Sequence, residues 1–107
     1  MIVAASFMMM LAAAPSADPV GTGRRDFSKC LSAQMQPALD KKMPLGDFVS
    51  MLKQTCATQQ SAFRAAIIAQ DKADGMSDAE ASADADDQIA EYVDKITSEY
   101  EENSQPG

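Results

Sequence analysis

Histidine and tryptophan are absent from the 107 residues, cysteine occurs twice, and aromatic residues make up only 6 %. Without histidine the chain lacks the usual general base near neutral pH and the commonest metal ligand. Basic residues are the scarcer charge, nine Lys and Arg against sixteen Asp and Glu, and the formal charge of −7 argues against a nucleic-acid or anionic-lipid partner. Neither a Cys-x-x-Cys pair nor a glycine-rich phosphate loop after a strand is present; Gly21-Thr22-Gly23 reads as a lead-in to a helix. The length bounds the chain at one small domain.

Charge is also missing locally, since Ile2 to Ala14 carries none. That run is shorter than the roughly 20 residues needed to cross a bilayer core of about 30 Å, and it ends in small residues, which is the pattern of a secretory signal peptide. Residues 1–17 are therefore expected to be a signal, with cleavage between Ala13 and Ala17, and the product to be periplasmic or secreted with no stable membrane insertion. In an oxidising compartment the two cysteines are expected to pair, Cys30 with Cys56.

The remaining sequence reads as all-α. Phe27, Leu31, Met35 and Leu39 recur every four residues from Asp26, with Cys30 and Ala38 on the adjoining row and Gln34 as a polar gap. Pro37 predicts a kink or break near Met35. A connector over 40–46 follows. Phe48, Leu52, Cys56, Phe63 and Ile67 then mark a second helix of roughly seven to eight turns, extending to about Asp74. Gly75 suits a C-terminal left-handed position, and Ser77-Asp78-Ala79-Glu80 has the spacing of a capping box. The third helix starts near Asp78, with Ala85, Ile89, Tyr92, Val93, Ile96 and Tyr100 as its apolar stripe and Glu91 four residues before Lys95. The expected organisation is a flexible lead-in over 18–25, a three-helix domain over 26–102 and a disordered tail over 103–107.

The cysteines provide a register. Cys30 and Cys56 have numbers summing to 86, so antiparallel residues obeying that sum are centred on Met43, inside the connector. The sum sets Met35 opposite Met51 and Ala38 opposite Phe48, but also Leu31 opposite Thr55 and Phe27 opposite Gln59, so the side-chain pattern alone does not confirm it.

Charge divides along the chain. Up to Gln70 there are seven basic and four acidic residues, whereas from Asp71 onward twelve acidic residues face only Lys72 and Lys95. The acidic strip Asp84, Asp87, Glu91 and Asp94 and the basic positions Lys41, Lys42 and Lys53 are the candidate partner-binding residues. Asp84-Ala85-Asp86-Asp87 does not open a calcium loop, because Ile89 and Lys95 stand where glycine and glutamate are required. Carboxylates on an exposed helix lack the apolar pocket that acid–base catalysis needs, and the Ser and Cys side chains lack a histidine, so no enzyme activity, catalytic residue, cofactor or metal is expected. Met35, Met43 and Met51, at equal eight-residue spacing, are soft ligands that suit Cu(I), but methionine is more often core filler.

By size, charge and cysteine count, without any shared motif, the chain resembles small acidic helical proteins of the bacterial periplasm, some of which are acid-stress chaperones. The expected function is a non-enzymatic exported protein that binds another protein of the cell envelope, with an acid- or stress-responsive chaperone as the alternative. In that alternative, acid would weaken the hold of the third helix on the basic hairpin.

Overall fold

In a computed structural model that describes residues 18–105, five helices account for the fold: α1 (Pro19–Ala33), α2 (Met35–Asp40), α3 (Leu45–Thr55), α4 (Ala57–Ala73) and α5 (Asp78–Ser104). The expected signal segment and the final two residues lie outside the described residues. No strand occurs among the described residues, in agreement with the all-α expectation.

The lead-in expected to be flexible is helical. Asp18 caps α1, its Oδ1 accepting the Gly21 N–H at 2.9 Å, and Pro19 occupies the first helical position, where a missing N–H costs nothing. The two glycines had obscured this start. One of them is required: Gly23 is buried against α4, and a Cβ there would stand 2.9 Å from the Phe63 Cα. At the other end the chain stays helical as far as Ser104.

Two interruptions turn three expected helices into five. Pro37 can donate no hydrogen bond to Ala33, and its ring crowds that carbonyl, so α1 ends and α2 restarts after Gln34. The Gln34 side chain then fills part of the gap, its Nε2 donating to the Cys30 carbonyl at 3.0 Å. The expected long second helix bends at Cys56, where φ is −103° and ψ is 19°. Neither proline nor glycine marks this bend. It coincides with the disulfide, and Cys30 Sγ lies 3.9 Å from the Thr55 carbonyl oxygen.

Cys30 and Cys56 are bonded, with Cα atoms 5.8 Å apart. Their sum of 86 is repeated where Gly23 meets Phe63. Helical side chains lean toward their own N-terminus, so in an antiparallel pair each ring reaches past the residue directly opposite. Phe27 accordingly meets Phe63, not Gln59, with ring centroids 5.9 Å apart. Tyr92 of α5 closes this cluster edge-on to Phe63 at 5.7 Å, and the Arg24 guanidinium stands 5.9 Å from the centre of the Phe63 ring. On the other side of the disulfide, Phe48 of α3 stacks on Tyr100 of α5 at 4.0 Å. Two aromatic clusters therefore flank Cys56, which is itself 1 % exposed.

The α4–α5 connection follows its sequence closely. Gly75 takes φ +103°, the Met76 N–H bonds to the Asp71 carbonyl and the Gly75 N–H to that of Lys72, each at 3.0 Å, which is a Schellman ending. The capping box follows: the Glu80 N–H donates to Ser77 Oγ at 3.1 Å, and the Ser77 N–H donates to Glu80 Oε1 at 3.0 Å. Arg64–Asp86 and Lys72–Asp78, each 2.8 Å, tie the two helices; the expected Glu91–Lys95 pair is not among the ion pairs of the described residues.

Gly23→Ala tests the close approach of α1 and α4. In an open helix the change would stabilise by up to about 1 kcal/mol, but here the new methyl group meets backbone, and overpacking of this kind costs about 1–3 kcal/mol. The expected outcome in a denaturant melt is a net loss of stability.

Candidate functional site

Four residues, Lys41 to Pro44, join α2 to α3. The turn is a second Schellman ending: the Lys42 N–H bonds to the Leu39 carbonyl and the Met43 N–H to that of Ala38, each at 3.0 Å. Its left-handed position is filled by Lys42, at φ +52°, the one non-glycine residue with positive φ among those described. A side chain in that conformation costs about 1–2 kcal/mol, and at the equivalent position after α4 this chain uses glycine.

The strained turn is held from behind by α5. Tyr100, 1 % exposed, donates its hydroxyl to the Met43 carbonyl at 2.6 Å, with the Ala38 carbonyl also within 3.2 Å. Its ring is fixed by the stack on Phe48. Around the turn lies a shallow groove formed by Leu39, Lys42, Met43, Pro44 and Leu45, closed on the far side by Asn103 and Ser104 of α5. Leu45 is 36 % exposed and is the large hydrophobic side chain that the described surface leaves open. Lys41 and Lys42 are exposed at its edge, directly after the C-terminus of α2, where the helix dipole favours positive charge. The corner thus combines an apolar floor with two ammonium groups on a backbone that is not free to adjust.

The other candidate residues fall elsewhere. Lys53 and Asp94 line a separate groove between the α3–α4 bend and α5, over Ile89 and Val93. Asp87, Glu91 and Asp94 are exposed on α5, but Asp84 is half-buried and turned toward α4, beside Asp71. Its Oδ2 accepts from Gln88 Nε2 at 3.0 Å. The acidic strip is therefore three residues, not four, and Lys41 and Lys42 are not brought together with Lys53. Asp86 is engaged with α4: the Arg64 guanidinium beside it, 2.8 Å away, holds its carboxyl below the usual range. Met35, Met43 and Met51 each pack, partly buried, against the hydrophobic core. Among the described residues no group of three or more Cys, Asp or Glu side chains is placed to hold a metal ion.

Sequence reasoning picked Lys41 and Lys42 for their charge and missed what sets Lys42 apart. Local spacing carries no signal for it: Leu39 and Ala38 stand three and four residues before Lys42, whereas Lys72 and Asp71 stand there before Gly75. Tyr100 was placed on the apolar stripe, and its hydroxyl partners lie about sixty residues away in sequence. The chain matches no protein-family model, no curated protein and no solved structure.

Lys42→Gly should relieve the turn and raise stability by about 1 kcal/mol, which for a domain of this size is roughly 4–8 °C in melting temperature. Tyr100→Phe, which removes the hydroxyl and keeps the stack, should lower stability by about 1 kcal/mol. Thermal melts followed by circular dichroism check both signs.

Proposed function

We propose that this protein is an exported, non-enzymatic helical module of the cell envelope that acts by binding another protein through its α2–α3 corner. Export is supported by the uncharged run Ile2–Ala14, read as a signal peptide, and by the disulfide, which fits an oxidising compartment. Among the described residues no helix is long and apolar enough to cross a membrane. A binding role is supported by the lack of histidine and by carboxylates that lie mostly on exposed helical faces.

The observation that carries the reading is Lys42 in a left-handed backbone conformation beside exposed Leu45. Backbone strain that glycine would relieve, at a turn already pinned by Tyr100, is retained where a side chain has work to do. The chemistry of the corner fits a partner segment that inserts an apolar side chain over Met43 and Leu45 and sets a carboxylate against Lys41 or Lys42. Such a contact weakens with salt, because rim charges are screened within about 10 Å at 0.1 M ionic strength.

Capture from an extract of the source organism's cell envelope at low ionic strength tests the proposal. Native protein should recover a partner, and Lys42→Gly and Leu45→Ser should each recover several-fold less while Lys42→Gly melts higher than native. Charge neutralisation of Asp87, Glu91 and Asp94 should leave capture unchanged. Retained capture by both corner variants, or its loss only in the α5 variant, would move the binding face away from the corner.

A further inference from the structure

Asp71 stands on the last turns of α4 and Asp84 on the second turn of α5, where the helices run side by side from the turn that joins them. Asp71 Oδ2 is shielded from solvent and has no hydrogen-bond donor within the structure. Asp84 carries a donor on Oδ2, the Gln88 amide, and no cation. Both nearby cations of α4 are engaged with other acids: Arg64 with Asp86 and Lys72 with Asp78. The remaining charge facing Asp71 is Asp74 of α4, itself hydrogen-bonded to the Gln70 amide at 3.2 Å. Helix α1 begins at Pro19, and its N-cap Asp18, which the 86 register places opposite Ile68, is an exposed acid whose Oδ1 accepts the Gly21 N–H at 2.9 Å. A sheltered carboxylate oxygen set against a second carboxylate, with each neighbouring cation committed, has one simple way of being satisfied: a proton held between the two.

We infer that Asp71 and Asp84 share a proton across the α4–α5 interface, making this end of the fold an acid-tightened clasp. The direction of titration agrees. The hydrogen bond with Asp84 comes first, followed by burial and then the charges of Asp84 and Asp74, and together they raise the Asp71 carboxyl above its ordinary value. A group whose folded pKa lies above the unfolded value of about 3.9 adds stability as pH falls through the folded pKa, and the gain is complete below the unfolded one. The flanking acids behave oppositely. Hydrogen bonding to Lys72 lowers Asp78, the Ser77 backbone N–H lowers Glu80, and hydrogen bonding to Arg64 lowers Asp86. Their contributions persist above the ordinary carboxylate range and disappear only as pH falls through the lowered values. Mild acid therefore closes the clasp before it breaks the ion pairs, and Ala81, Ala85 and Ile67 stay covered. This opposes opening of α5 in mild acid, which the acid-responsive chaperone reading requires.

The full chain carrying Asp71→Asn tests the inference, because the amide imitates the protonated acid and can donate to Asp84. At about pH 7.5 the variant should melt higher than native, by roughly 2–4 °C, and the gap should have narrowed at about pH 4, near the unfolded carboxylate value. Independently, carbon-13 NMR of native protein should find the Asp71 carboxyl titrating above about 3.9. An ordinary or lowered Asp71 midpoint, or a variant that melts below native by the same amount at both pH values, would overturn the shared proton. So would stabilisation of native protein by millimolar calcium at about pH 7.5 that is lost in Asp71→Asn, since that assigns the pair to a metal ion.

Discussion

The rest of the structure depends on one bond, between Cys30 and Cys56. It joins α1 to the bend between α3 and α4 and lies between two aromatic clusters, Phe27–Phe63–Tyr92 on one side and Phe48–Tyr100 on the other. A cross-link spanning 26 residues removes enough freedom from the unfolded chain to contribute about 3.5 kcal/mol on the chain-entropy model. Against a total of about 5–15 kcal/mol typical of small domains, that is a major share. The bond also fixes position, since the sum of 86 holds at the disulfide and again where Gly23 lies against the Phe63 backbone.

With that register fixed, α5 becomes the element that joins both ends. Its Tyr92 completes the cluster on the α1 side, and its Tyr100 reaches the α2–α3 turn. The two turns of the chain then show a contrast. Both are Schellman endings; one uses Gly75 and the other Lys42. The first is relaxed and leads into a capping box. The second carries strain, is buttressed by a buried hydroxyl, and borders the exposed Leu45. The proposed binding role of the corner rests on this difference between two otherwise equivalent turns.

Much of this was legible in the sequence because local physical rules dominate there. The α4–α5 connection needs only Gly75 and the Ser77–Glu80 spacing, and the disulfide needs only two cysteines and an oxidising compartment. Helix starts and interruptions were harder. Asp18-Pro19 is a sound N-terminal signal, but the glycines behind it look like a linker until Gly23 is seen against Phe63. Pro37 predicted an interruption and the structure makes it a break. Cys56 carried no local warning of a bend, because the bend accompanies a partner 26 residues away. Asp84 falls on an outward strip by its helical spacing from Asp87 and Glu91; only packing with α4 reveals that it faces Asp71. Period three to four identifies a face, and it does not say which neighbour that face meets.

The disulfide holds the register on which every later contact rests. The most direct measurement is the thermal melt of oxidised protein against protein reduced and alkylated at both cysteines. Reduction should lower the melting temperature by roughly 15 °C or more, with loss of the near-ultraviolet signal of the Phe48–Tyr100 stack before the helical signal disappears. An unchanged melting temperature, with the aromatic signal intact, would contradict it.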